Sequence, residues 1–138
     1  MKVKLDPGAK MPTKALQKGG AGYDLYSRED AVIYHGDSYC FDTGVHVNIP
    51  AGYVGTIISD AGLYVKHNLT SEGVIHAGDT GSIMVKLYNH DRNPVVIEQG
   101  QKISQLVLLP IITPELELVE SLEDTERGSG GFGSTGAF

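Results

Sequence analysis

The feature that most constrains this chain is a succession of short alternating segments separated by turn residues. The segment GVHVNIP alternates Val45, Val47 and Ile49 with polar neighbours, and YVGTII and SIMVKLYN are short β-branched runs. Clusters such as IPAG, HAGDTG and NHDRNP lie between these runs, and this arrangement predicts strands joined by tight turns. No amphipathic helix is predicted. The pattern indicates an all-β antiparallel sandwich or jelly roll.

The C-terminal third of the chain changes character. The segment KISQLVLLP predicts a strand, and strict alternation places Ile103, Gln105, Val107 and Leu109 on one face. The chain then becomes acidic and ends in DTERGSGGFGSTGAF, which has little to bury locally. Such an arm needs a partner to order it.

Composition limits the classes of function. A chain of 138 residues with 41% hydrophobic content is the size of one domain. The net charge of −6 argues against sequence-independent binding to DNA or RNA. The longest apolar run is short and contains Pro110, and the start MKVKLDPGAK lacks the apolar core of a signal peptide. We therefore expect a cytoplasmic protein that has no membrane partner.

Four spaced stretches carry a family resemblance. They are AGYDLYS at 21–27, GVIHAGDTGSI at 73–83, GQKISQLVLLP at 100–110 and RGSGGFGSTG at 127–136. In this order they resemble the first, third, fourth and fifth motifs of the dUTPase family, which hydrolyses dUTP to dUMP and pyrophosphate. The resemblance covers nearly the whole chain.

The resemblance implies an architecture and a set of partners. It implies a β jelly-roll homotrimer with active sites at subunit interfaces, each completed by the C-terminal arm of another subunit. We expect residues 1–122 to form the jelly roll and residues 123–138 to form the arm. The ligand is expected to be a small-molecule nucleotide, with Mg2+ carried by its phosphates.

The matching positions also imply roles. Asp24 resembles the carboxylate that holds the water ligands of the metal, and Gln105 resembles a phosphate contact. The hairpin from Val74 to Gly81 would recognise a pyrimidine edge through main-chain groups. On the arm, Arg127 and the pair Ser134 and Thr135 would meet phosphate, and Phe132 would stack on the base. The expected ligand-binding residues are Asp60, Ala61, Gly62, Gly73, Val74, Ile75, His76, Asp79, Gln105, Arg127, Phe132, Gly133, Ser134 and Thr135.

Two motifs depart from the family pattern. In SDAGLYVKHNLTSEG, Asp60 stands where the family has a basic residue and Ala61 where it has a serine, while Gly62 is retained. In the third motif His76 stands where the family has its catalytic Asp, and Asp79 where it has a Tyr. Asp60 would repel a triphosphate, and an imidazole differs in size and lone-pair direction from the carboxylate that activates water.

These departures leave three hypotheses. The first is a nucleotide-binding protein that has lost ordinary dUTP hydrolysis and sequesters a nucleotide or a nucleotide-derived signal, for example as a phage sponge against host defence. The second is an active pyrophosphatase, on dUTP or on an altered substrate, with His76 as the base. The third is a structural trimer without a nucleotide. A transition-metal site formed by His76, Asp79, Asp60 and Asp24 is a smaller alternative.

Overall fold

Twelve strands and one short helix make up the described part of the chain. The computed structural model describes residues 1–14, 20–123, 128–133 and 135–136. In chain order the elements are β1 (Val3–Leu5), β2 (Thr13–Lys14), β3 (Tyr23–Tyr26), β4 (Ala31–Ile33), β5 (Ser38–Asp42), β6 (Val45–Val47), β7 (Tyr53–Ser59), α1 (Ala61–His67), β8 (Leu69–Thr70), β9 (Glu72–Ile75), β10 (Met84–Asn89), β11 (Val95–Ile97) and β12 (Lys102–Pro110).

All of the described strand pairs are antiparallel. The largest sheet has the order β2-β3-β12-β7-β9, and a second sheet has the order β5-β10-β8. Two short ribbons, β1-β6 and β11-β4, complete the layers. Strand β12 pairs with β3 and β7, which are both far from it in sequence, as expected when strands cross between layers. The predicted all-β jelly roll is confirmed.

Alternation along the strands supplies the core. In β10 the side chains of Val85 and Leu87 are buried while Met84 and Lys86 are exposed, so one face points inward. Val85 lies opposite Phe41 on β5, and both are fully buried. From the large sheet Leu25 and Leu106 enter the same cluster of buried apolar side chains. The faces that remain outside the core are therefore free to carry the polar residues of a site.

Strand β12 departs from strict alternation at its start. Its pairing with β3 shifts between Lys102 and Ser104, which leaves Ile103 as an extra residue in a β-bulge. Ile103 and Ser104 are consecutive, yet both are 0% exposed. The prediction that Ile103 shares the face of Gln105 is therefore wrong, because the bulge turns two successive side chains inward.

The sequence predicts no amphipathic helix, and the one helix of the described residues is a short one that the sequence pattern does not show. Helix α1 has only two turns and buries only Leu63, so it has no amphipathic repeat that a sequence pattern could show. Its ends are defined by capping. Asp60 accepts a hydrogen bond from the backbone of Leu63 at the start, and Asn68 adopts a left-handed conformation with φ of 51° at the end.

The segment after β12 lies outside the core. Residues 111–123 form neither helix nor strand, and the side chains of Ile112, Leu116, Leu118 and Leu122 are at least 87% exposed. The expectation that this acidic segment buries little locally agrees with its exposure. The division of the chain at residue 122 stays a prediction. Within the described ranges, no helix has the length and apolar character to cross a bilayer.

One histidine connects the N-terminal strand to the turn that follows β9. The imidazole of His46 contacts the Asp6 carboxylate through Nε2 at 2.9 Å and the carbonyl oxygen of Thr80 through Nδ1 at 2.7 Å. Both partners are acceptors, so both bonds are satisfied only by the doubly protonated ring. These two bonds raise the pKa of His46, and the bond from His46 lowers the pKa of Asp6.

We expect His46→Gln to reduce stability in a pH-dependent way. The His46 contribution is complete below its ordinary pKa of 6.5 and is lost as pH rises through the raised value, while the Asp6 contribution is complete above its ordinary pKa of 3.8 and is lost on acidification. Tm measured against pH should therefore differ most from the parent between 3.8 and 6.5. Asp6→Asn should reproduce the same difference. A difference that is constant from acid to alkaline pH would contradict this account.

Candidate functional site

The first group of predicted site residues lies where β3 and β12 pair. Asp24 is 9% exposed, and its Oδ1 accepts a hydrogen bond of 3.2 Å from Nε2 of Gln105, its cross-strand partner. The two strands approach closely at Gly22, where a Cβ atom would lie 2.6 Å from the carbonyl oxygen of Leu106. Gly22 is therefore required at this position, and its close fit fixes Asp24 beside Gln105.

Asp60 lies at the same end of the sheet, directly after β7. Its Oδ2 accepts the 3.1 Å hydrogen bond from the backbone N–H of Leu63, and its Oδ1 lies 3.3 Å from Nζ of Lys102. A Cβ atom at Gly62 would lie 3.2 Å from Oδ2 of Asp60, and Ala61 is exposed as the first helical residue. The sequence predicts that Asp60 repels a triphosphate. The ion pair with Lys102 and the bond from the N–H of Leu63 offset part of that negative charge.

The pKa of Lys102 also depends on the surrounding carboxylates. Burial acts to lower the pKa of its ammonium group, but the attraction of Asp60 and Asp24 outweighs burial and the pKa is raised. Lys102, Asp60, Asp24 and Gln105 thus form one polar group, here called the β12 cluster. Sequence reasoning did not single out Lys102, because strict alternation from Gln105 places position 102 on the opposite face. A sign of the bulge in the sequence would have been needed to find it.

The second group of site residues lies on β9 and the turn that follows. Gly73 pairs with Ile57 and Ile75 pairs with Gly55 on β7. The turn is closed by a 3.0 Å bond from the backbone N–H of Asp79 to the carbonyl oxygen of His76, and Oδ1 of Asp79 accepts from the N–H of Gly81 at 3.1 Å. Asp79 therefore holds the turn. We call this group the β9 hairpin.

A small cleft opens beside the β9 hairpin. Its volume is about 190 Å³, and its lining includes Gly73, Val74, Ile75, Asp79 and Gly81. Strand β9 is an edge strand of the large sheet, so its outer main-chain edge lies beside the cleft, as expected for recognition of a flat polar ring edge. The imidazole of His76 is exposed at the turn, and no residue in the described ranges bonds to its ring nitrogens.

The β12 cluster and the β9 hairpin do not meet within one chain. Gln105 is level with Ile58 on β7 and with Glu72 on β9. His76 lies four residues beyond Glu72, and β9 is two strands away from β12. The positions of Gln105 and His76 are therefore separated by about 13 Å along the strand direction and about 10 Å across the sheet. No hydrogen bond or ion pair among the described residues joins the two groups. One chain alone therefore supplies two separate half-sites.

The arm residues add a third part. Phe132 is fully exposed, Gly133 has φ of 72°, and Thr135 is exposed. Arg127 and Ser134 lie outside the described residues. The metal alternative is not supported by the described part of the chain, where no three His, Cys, Asp or Glu side chains converge.

Comparison with known proteins identifies the family. The dUTPase family profile matches residues 8–136. The chain belongs to the dUTPase family. A deoxyuridine 5'-triphosphate nucleotidohydrolase of Cutibacterium acnes is 44% identical over 130 residues, which are 91% of this chain and 85% of that protein. A protein of the same name from Candida albicans is 41% identical over 94% of this chain and 83% of its own length.

Similar solved structures agree with this family assignment. A mutant dUTPase of Staphylococcus bacteriophage 80alpha, solved with dUpNHpp, superposes with a TM-score of 0.90 at 34% identity and covers 99% of this chain and 98% of its own. A mutant dUTPase from phage phi11 of S. aureus has a TM-score of 0.82 at 31% identity, with 89% of this chain and 98% of its own covered. That structure is described as revealing the coordination of a structural Mg(II) ion.

These comparisons contradict one prediction made from the sequence. Proteins about 40% identical across nearly the whole chain are named as nucleotidohydrolases of deoxyuridine 5'-triphosphate. The prediction of a nucleotide-sequestering protein that has lost dUTP hydrolysis, including a sponge against host defence, is therefore wrong. The physical basis for that prediction is also weaker than the sequence indicated, since the charge of Asp60 is compensated.

We expect Asp60→Ala to destabilise the protein and Asp60→Asn to leave its stability close to that of the parent. Alanine removes the N-cap of α1, which costs about 0.5 to 2 kcal/mol, whereas asparagine retains an acceptor for the N–H of Leu63. The ion pair with Lys102 adds little, because the Lys102 side chain is 43% exposed. Denaturant unfolding at one fixed protein concentration measures both changes. Equal losses in the two variants would show that charge, and not capping, is what matters.

Proposed function

We propose that this protein hydrolyses dUTP to dUMP and pyrophosphate. The observation that carries the proposal is the presence of two complementary half-sites. The β12 cluster has the charged and amide groups suited to phosphate and its metal, and the β9 hairpin has a cleft with main-chain groups suited to a pyrimidine. The names of the curated relatives support the same reaction.

Base and sugar would be held at the β9 hairpin. The cleft of about 190 Å³ beside Val74 and Ile75 suits a single ring, and the exposed main chain of an edge strand offers donors and acceptors to that ring. Asp79 occupies the position at which the family resemblance implies a tyrosine against the sugar. Because Oδ1 of Asp79 bonds to the N–H of Gly81, this side chain shapes the turn next to the cleft.

Water activation would fall to His76. Cleavage of dUTP to dUMP and pyrophosphate breaks the bridge between the α- and β-phosphates, and the attacking water must lose a proton. A neutral imidazole can accept that proton, and His76 stands on the turn beside the cleft where the family has its catalytic carboxylate. Exposure of the ring leaves it free to meet a water molecule held near the nucleotide.

The β12 cluster also fits the magnesium ion of a nucleotide complex. Mg2+ is usually held by one or two carboxylates together with phosphate oxygens and several waters, and Asp24 supplies such a carboxylate, oriented by Gln105. When bound, the ion would neutralise phosphate charge and orient the triphosphate. Asp24 would hold its water ligands.

The complete site would require more than one subunit. The two half-sites are separated within one chain, and the segment from Ile111 onward exposes a row of apolar side chains that is typical of a surface covered by a partner. A homotrimer in which residues 123–138 reach a neighbouring site would bring the parts together. Arg127, Ser134 and Thr135 would then contact phosphate, Gly133 would allow close main-chain approach, and Phe132 would stack on the base.

We expect the parent protein to release pyrophosphate from dUTP in the presence of Mg2+ and His76→Ala to reduce kcat by about 100-fold or more, the usual contribution of a general base. His76→Asp should stay active at lower pH than the parent, because a carboxyl group loses its proton in more acidic solution than an imidazole does. The measurement is pyrophosphate release against pH, with UTP and dCTP as competing substrates. A parent that turns over none of these nucleotides would overturn the proposed function.

We expect activity to be restored when two inactive chains are combined. One chain lacks residues 127–138 but keeps His76, and the other carries His76→Ala with an intact arm. If the arm completes a neighbouring site, mixed trimers from co-expression contain sites that have both parts and regain activity. Each chain alone should be inactive but trimeric by light scattering. Activity that never exceeds the sum of the separate chains would show that each arm serves its own subunit.

A further inference from the structure

The β-bulge in β12 determines which side chains face the proposed site. Lys102 pairs with Tyr26 and Gln105 pairs with Asp24. Asp24 and Tyr26 are two residues apart on β3, so their side chains leave the same face of the sheet. Their cross-strand partners therefore share that face too, although Lys102 and Gln105 are three residues apart. The extra residue Ile103 is what brings the ammonium of Lys102 beside the phosphate-binding amide.

The charges around this face need a cation. A nucleoside triphosphate is a polyanion, and this face already carries the carboxylates of Asp24 and Asp60. The second motif has no basic residue at its first position, where Asp60 stands. Nζ of Lys102 lies 3.3 Å from Oδ1 of that same Asp60. The positive charge is thus present at this place in space, supplied by β12.

We propose that Lys102 is a phosphate-binding residue of this active site and provides the cation that the second motif lacks. The inference rests on the proposed function. An ammonium group has three donors, so a bond to Asp60 leaves two for phosphate oxygens. Asp60 is held independently by the N–H of Leu63 and stays in place when Lys102 turns toward the ligand. The side chain of Lys102 is 43% exposed, which gives a ligand access to it.

Binding of the analogue dUpNHpp and of deoxyuridine by calorimetry tests this role. Lys102→Gln should weaken dUpNHpp by about tenfold or more, the range for loss of one charge-assisted hydrogen bond, and should leave deoxyuridine unchanged. Lys102→Arg should retain most of the affinity. The control Lys86→Gln makes the same charge change at an exposed lysine of β10 and should alter neither ligand.

A double-mutant cycle separates phosphate binding from a structural role. Asp60→Asn keeps the N-cap, releases Lys102 and removes one carboxylate charge, so it should strengthen dUpNHpp binding. That gain should be clearly smaller in the Lys102→Gln background, where only the removed charge acts. Equal weakening of dUpNHpp and deoxyuridine, or no weakening by Lys102→Gln in a parent that hydrolyses dUTP, would overturn the inference and leave the proposed function standing. A parent that binds neither ligand would overturn both.

Discussion

The site depends on the position of β12 between two strands that carry other motifs. On one side β12 pairs with β3, which presents Asp24, and on the other with β7, which ends next to Asp60. Because the strand is hydrogen-bonded along both edges, its register is fixed by two ladders at once. The tight approach at Gly22 fixes the first of these ladders. The polar face of the sheet is therefore held by core pairing, and the site residues need no framework of their own.

Sequence patterns predicted several of the strands that bury one face. Alternation predicted β6 and most of β12, and β-branched runs predicted β7 and β10. The same reasoning missed α1, since two turns that bury only Leu63 give no periodic signal and the helix is defined by its caps. It also misplaced Ile103, because a bulge depends on pairing with another strand, which no local pattern contains.

The sequence indicated which motifs supply the candidate site residues but not the electrostatics around them. Motif spacing indicated Asp24, Gln105, the β9 hairpin and Asp60, and the structure brings Asp24, Gln105 and Asp60 into one cluster. What the sequence could not show is that Asp60 is paired from two directions, by Leu63 and by Lys102. Asp60 thus departs from the second motif in sequence, yet Lys102 on the neighbouring strand places a positive charge beside that position.

The bulge also changes which side chains of β12 face the core. In strict alternation successive side chains point to opposite faces, so two consecutive residues cannot both be directed into the core. Here Ile103 and Ser104 are both buried while Lys102 and Gln105 face outward together. Deletion of the extra residue would therefore move Lys102 to the opposite face of the sheet from Gln105.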